Sequence, residues 1–375
     1  MKRRVLFVGR TRYASPLAAT HERKFATLDG VLDWRVLGSA ARRGARVDGF
    51  RLVPPLPLRA LDGPAFYARL PLLVARELRT FAPHAVIAQS PYEGLAALLG
   101  RRLARSRARV IVEIHGDWRT ATRLYGSGAR AAVAPLADRL AARAVRHADA
   151  VRAVGPFTAG LARAAGGNVT AVFHTYTEIE AFLEHEPTPL PSEPHAAFVG
   201  VLERYKNVDG LAEAWRLAAP RVPGVTLELV GDGRRVETIE RLLADVPGQT
   251  VWHRRLEPAA VAGLLDRSWA LVLPSFSEGL PRVALEALAR GRPVVGSRAG
   301  GIPDAVQDDR NGLLVPPGDP QALADALVRV LSDRALAERL AAAARPSVEE
   351  LLLTPQDYAE RVAALVEDAV GRYPR

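Results

Sequence analysis

With 375 residues, 49% of them hydrophobic and 25% charged, the chain is too long for one typical domain and has apolar content enough for two cores. It contains no cysteine and no apolar run near the roughly 20 residues that cross a bilayer, which excludes disulfides, thiolate metal sites and a membrane-spanning helix and agrees with a reducing, cytoplasmic compartment. The net charge of +10 is uneven: residues 1–186 hold 29 Lys and Arg against 15 Asp and Glu, whereas 187–375 hold 22 against 26, so the first half either decorates solvated faces with arginine or meets an anionic partner.

The basic start leads into apolar residues only from Val5 to Val8, which reads as a first strand rather than a signal peptide. Residues 4–9, RVLFVG, form a buried parallel strand ending at Gly9, and the loop after it, with Arg10 and Arg12, stands where open α/β sheets place ligands. WRVLGSA (34–40) is a strand and RLVPPLPL (51–58) a proline-stiffened loop. Residues 64–81 set apolar side chains at helical spacing with Arg69, Arg76 and Arg79 between them. Such a helix covers a sheet or lies on an anionic membrane surface. AVIAQS (85–90) is the next strand, its tip Ser90–Gly94 a candidate ligand loop, and a helix over 95–109 ends in arginines 101, 102, 105, 107 and 109.

The strand RVIVEI ends at His115-Gly116-Asp117-Trp118, a polar cluster at a strand's carboxyl end. His115 is either a structural histidine or part of the chemistry that α/β enzymes keep there. Asp117 is placed to orient its ring or to hold an acceptor hydroxyl, and Arg119 and Arg123 to meet an anionic acceptor. A helix over 129–147 and strands at 149–156, interrupted by Arg152, and 169–176 follow. Pro187, Pro189, Pro191 and Pro194 then forbid regular structure and mark the boundary between a first domain, 1–186, and a second, 187–354.

The second half restarts the strand–helix alternation of a parallel sheet. AAFVG (196–200) leads to a polar loop with Arg204, Lys206 and Asn207, where Lys206 is one of three lysines in the chain. VTLELVGDG (225–233) and TVWH (250–253) are further strands. Leu271 to Val315 is the densest stretch: a buried strand end, a turn with Ser275, Ser277, Glu278 and Gly279, Pro281 at a first helical position, the helix VALEALAR, a stop at Gly291, and the strand PVVG. The free amides before that helix suit a phosphate. Glu278 and Glu286 are separated by seven residues; taken singly, one is a cap and the other a solvated helix residue. On an ideal helix eight positions advance about 12 Å, which would let the two acids address different parts of a long ligand. The last segment, 355–375, is helical.

Taken together, Glu278, Glu286, Gly291-Arg292-Pro293-Val294-Val295 and Gly300-Gly301-Ile302-Pro303-Asp304 resemble the donor-site signature of retaining nucleotide-sugar glycosyltransferases of family four. The resemblance implies an α/β, GT-B fold of two Rossmann-like domains with parallel sheets facing across a cleft, the terminal helix crossing back to the first. It implies a hexosyltransferase that uses a nucleotide-diphosphate sugar and a glycan or lipid-linked acceptor in cell-surface polysaccharide or glycolipid synthesis. His115 would lie beside the transferred sugar and Glu278 would hold it. Gly9, Asp117, Arg204, Lys206, Asn207, Ser275, Gly279, Leu280, Val283 and Glu286 would bind substrates, Lys206 at the diphosphate and Glu286 at the ribose. The family's arginine directly after the glycine is Val201 here, with Arg204 as a substitute. The absence of any Asp-x-Asp pair implies no metal and no cofactor beyond the co-substrate. The expected location is the cytoplasm, with peripheral attachment to the inner face of the cytoplasmic membrane as an added hypothesis. Rival readings are a nucleotide-sugar epimerase or hydrolase on the same fold and a basic nucleic-acid-binding protein; low aromatic content, 6%, speaks against the latter, and no nucleic-acid partner is expected.

Overall fold

The computed structural model describes residues 2–120, 128–176, 179–349 and 351–371, which fall into two compact units. The first takes 2–120, 128–176 and 353–371, and the second 179–349 with 351 and 352.

In the first unit β1 (Arg3–Tyr13), β2 (Leu32–Ala40), β3 (Phe50–Val53), β4 (Ala85–Ala88), β5 (Arg109–Ile114), β6 (Ala150–Ala153) and β7 (Val169–Val172) form one parallel sheet in the order β3-β2-β1-β4-β5-β6-β7. Alternation sorts each strand between two cores. Leu6 and Val8 join Phe66, Leu70, Val74 and Leu78 of the helix Arg59–Thr80, whereas Val5 and Phe7 join Tyr358, Val362 and Val366 of the helix Pro355–Gly371. The basic amphipathic helix therefore covers the sheet with its apolar face, and the terminal helix covers the other side.

In the second unit β8 (His195–Val199), β9 (Thr226–Val230), β10 (Thr250–His253), β11 (Ala270–Leu273), β12 (Val294–Ser297) and β13 (Gly312–Val315) repeat the parallel pattern in the order β10-β9-β8-β11-β12-β13. Both sheets are Rossmann-like. In each, strand order reverses beside the first strand, between β1 and β4 and between β8 and β11, and the crevice outside the carboxyl ends of such strands is where open sheets bind ligands.

Several expectations are corrected. Strand β1 does not stop at Gly9 but runs to Tyr13 through a register shift after Val8, because Arg12 and Tyr13 still pair with Ser39 and Ala40. Residues 51–53, expected in a loop, join Phe50 in β3 at the sheet edge ahead of the prolines. Ser90–Gly94 is not a loop: the Ser90 hydroxyl caps the helix Pro91–Ala104 by accepting from the Tyr92 amide, so Tyr92, Glu93 and Gly94 lie in the first turn. The units divide at 176/177 rather than at 186/187. Ile179 and Phe182 belong to the second core, and Arg292 anchors the proline-rich stretch to the second unit by donating to the Thr188 carbonyl at 2.8 Å. Among the described residues no helix is long and apolar enough to cross a membrane.

Candidate functional site

Expected residues assemble into a group in the second unit, whereas in the first unit His115 meets residues that were not expected. In the second unit β8 and β11 are neighbours, so the loops leaving their carboxyl ends meet. The first contains the 3-10 turn Arg204–Lys206, ended by Asn207 at φ 52°, whose side chain accepts from the Gly210 amide at 3.2 Å and starts the helix Val208–Ala218. The second carries Ser275 to Leu280, and the Phe276 amide donates to the Tyr205 carbonyl at 2.8 Å, tying the loops together. That tie places Lys206 Nζ 2.7 Å from Glu278 Oε1, an oxygen that also accepts from the Ser275 hydroxyl at 2.8 Å. All three side chains are largely buried, with 10% of the Lys206 and 12% of the Glu278 side chain exposed. In such a shielded place the two charges attract more strongly than on the surface, but both have lost hydration, so the loss of either partner leaves a costly buried charge.

The Gly-Gly pair of the motif explains how Glu278 is held. Gly300 adopts φ +57°, and a Cβ there would lie 2.4 Å from the Glu278 carbonyl oxygen; at Gly301 it would lie 1.7 Å from the Gly279 carbonyl oxygen. The Gly301 amide in turn donates to the Glu278 carbonyl at 3.0 Å. Only glycine permits this backbone approach.

The helix spans Arg282–Ala289 with Pro281 at its N-cap, so Glu278 sits in the turn before it and the 12 Å spacing of a continuous helix does not apply. Glu286 is not solvated: it is buried, and its carboxylate accepts from Arg282 Nε at 2.7 Å. Burial raises its pKa against the opposing pull of Arg282 and Lys206. Lys206 thus acts on both acids, on Glu278 by contact and on Glu286 through its field. Of the other expected residues, Val283 lies in the second unit's core and Leu280 packs against it, Gly279 is half-buried beside Gly301, and Arg204 is exposed with no ion-pair partner among the described residues. Val201 is exposed as well.

In the first unit His115 emerges from the end of β5 with 41% of its side chain exposed. Its ring is held by Glu113, not by Asp117: Nε2 lies 3.2 Å from Glu113 Oε2, while Nδ1 lies 3.4 Å from Thr175 Oγ1. Asp117 instead accepts from Arg119 Nε at 3.1 Å, the Thr120 hydroxyl at 2.8 Å and the Arg119 amide at 2.9 Å, which hold its carboxyl below the usual range in spite of burial. Gly9 lies within β1 beside Gln89. Arg123 falls outside the described residues.

Glu113, Arg152 and Thr175 were not singled out from the sequence. Glu113 and Arg152 are register partners on β5 and β6, and Arg152 Nη1 donates to Glu113 Oε1 at 2.5 Å in full burial. Burial would raise the Glu113 pKa, but Arg152 and His115 outweigh it and hold the carboxyl far below its ordinary value. The available signal was an acid in one apolar strand and a base in the next. Among the described residues no three His, Asp or Glu side chains converge as metal ligands would.

A family model described as glycosyl transferases group 1 matches residues 193–333, and one described as a glycosyl transferase 4-like domain matches 10–174. The glycogen synthase of Mycobacterium tuberculosis is 37% identical over 167 residues, 44% of this chain and 40% of that protein. Sucrose-phosphate synthase from Thermosynechococcus elongatus is similar in structure with a TM-score of 0.77 at 19% identity, covering 99% of this chain and 100% of that one. Anabaena HepE, solved in complex with UDP-glucose, is similar with a TM-score of 0.69 at 16% identity, covering 99% and 100%. Those structures share the GT-B fold. The chain spans less than half the length of the curated relatives it matches.

Proposed function

The chain carries a group 1 glycosyltransferase domain over residues 193–333 and a glycosyl transferase 4-like domain over 10–174, and from that premise we propose that it moves a sugar from a nucleotide-diphosphate donor to a glycan or lipid-linked acceptor, with retention of anomeric configuration, in cell-surface polysaccharide or glycolipid synthesis. The observation that carries the reading is the buried Lys206–Glu278–Ser275 cluster at the switch point of the second sheet. An arriving diphosphate draws Lys206 Nζ away from Glu278, and the Gly279 and Leu280 amides add donors to it. The released Glu278 oxygen then accepts from sugar hydroxyls, and Glu286 accepts from the ribose. Arg204, exposed beside Lys206, takes the part of the arginine that Val201 replaces. The acceptor hydroxyl attacks the anomeric carbon on the face the diphosphate leaves. The new C–O bond forms as the C–O bond to phosphate breaks, and the departing phosphate oxygen takes the proton. Lys206 supplies the positive charge that the leaving diphosphate needs, so the reaction proceeds without a divalent ion. His115 is the catalytic side chain of the first unit.

The test is a melting screen against uridine, guanosine and adenosine diphosphate sugars, beginning with UDP-glucose, since a bound donor raises apparent stability. One donor class should raise the midpoint, and Glu278→Ala should still respond to the nucleoside diphosphate but no longer distinguish sugars. A chain that responds to none of them is not a transferase of this kind. We further propose that the first unit rests on anionic lipid: the helix Arg59–Thr80 turns Arg69, Leu72, Arg76 and Arg79 outward. Failure to sediment with phosphatidylglycerol vesicles at low salt would contradict it.

A further inference from the structure

The first unit holds a closed circuit of four side chains. Arg152 Nη1 donates to Glu113 Oε1, Glu113 Oε2 faces His115 Nε2 at 3.2 Å, His115 Nδ1 faces Thr175 Oγ1 at 3.4 Å, and Thr175 Oγ1 accepts from Arg152 Nη2 at 3.2 Å. Two members have no choice of role. A guanidinium only donates, and an ionised carboxylate only accepts. Glu113 is ionised, being buried against Arg152, whose own side chain is fully enclosed and lies 4.2 Å from the centroid of the Phe173 ring. The imidazole nitrogen facing Glu113 must therefore carry the hydrogen.

We infer that Glu113, locked by Arg152, is a positioning residue that fixes the neutral His115 ring with its proton on Nε2, leaving Nδ1 as a hydrogen-bond acceptor on the ring's exposed side. The geometry supports the direction. Both residues that fix the polarity sit in register on adjacent strands, so neither can swing away, while the Thr175 contact at Nδ1 is the longest of the four. A sugar hydroxyl displaces a 3.4 Å contact more readily than a buried carboxylate. Nδ1 would thus accept from a substrate hydroxyl, the Nε2–H bond to Glu113 holding the ring plane as it does so. This rests on the reading of His115 as a catalytic side chain; the assignment of Glu113 itself does not.

The experiment is two-bond 1H–15N correlation spectroscopy of the full-length chain above the titration of its histidines, with the His115 signals assigned by His115→Gln. The wild type should show the pattern of a ring protonated at Nε2. In Glu113→Gln the amide oxygen stays on Arg152 and the amide N–H turns to Nε2, so the ring should switch to the Nδ1–H pattern. With the acceptor lost, kcat should fall by about tenfold or more, towards that of His115→Ala, while the nucleotide-sugar melting shift is kept. A wild-type ring protonated at Nδ1, or a Glu113→Gln ring unchanged from wild type, overturns the proposal. The wild-type spectrum decides by itself should the variant fail to fold. A fully active His115→Ala with the expected spectra would instead remove His115 from the reaction and leave the role of Glu113 in the ring standing.

Discussion

Each unit carries a buried pair of opposite charges near the carboxyl end of its sheet, and the two pairs are built differently. Glu113 and Arg152 face each other within the sheet, on β5 and β6, with every backbone neighbour fixed by the strand ladder. Lys206 and Glu278 come from a 3-10 turn and a pre-helix turn joined by one backbone hydrogen bond, with the Glu278 turn resting on Gly300 and Gly301. A pair within a sheet, its remaining atoms taken up by His115 and Thr175, serves as an anchor. A pair carried on loops at a switch point can trade its partner for a ligand, and that is the property a donor site needs.

Substitutions can break this contrast. The largest effect is expected at Arg152: Arg152→Leu leaves Glu113 buried without its partner and should lower stability by about 3–5 kcal/mol in urea unfolding, with the donor melting shift intact in whatever folds. A loss under about 1 kcal/mol would mean that the in-sheet pair anchors nothing. Next is Gly301→Ala, whose methyl would sit 1.7 Å from the Gly279 carbonyl oxygen. The turn bearing Glu278 must shift, and donor affinity should drop by about 1–3 kcal/mol in calorimetric titration, with a smaller effect on folding. Unchanged affinity would show that the loop pair does not depend on that contact. The smallest effect is the pH dependence of Glu286. Its pKa is raised in the folded chain, so its contribution to stability is full below the unfolded pKa and is lost as pH rises through the folded one. Wild type compared with Glu286→Gln should therefore lose relative stability as pH rises above the ordinary glutamate range of about 4. A rise over the same range would contradict the burial of that carboxyl.

Much of this was legible in the chain. The runs RVLFV, RVIVEI, ALVL and PVV are strands because a sheet buried on both faces needs continuous apolar residues, and the Glu278 to Asp304 motif carries the resemblance to the family's donor side. Its physical reason was not legible, since the need for Gly300 and Gly301 appears only when the turn at Glu278 and Gly279 lies against them. Pairings over long separations were also hidden. Lys206 and Glu278 are 72 residues apart, and Arg152 looked like an interruption of an apolar strand until register set it opposite Glu113. Nearness in sequence makes Asp117 a candidate to orient His115, one of its two expected roles, but in a strand the residue two positions back lies on the same side, and that residue is Glu113. The unit boundary moved for a similar reason: prolines reveal where regular structure stops, not which core the flanking Phe182 enters.

The central claim is that the Lys206–Glu278 pair is a donor site that exchanges partners. Calorimetric titration of the nucleotide sugar selected by melting, into wild type and Lys206→Ala, tests it most directly. Loss of a charge-assisted contact to the diphosphate should weaken binding by about 2 kcal/mol, roughly thirtyfold, in a variant that remains folded. Equal affinity of the two proteins for the donor would contradict the account.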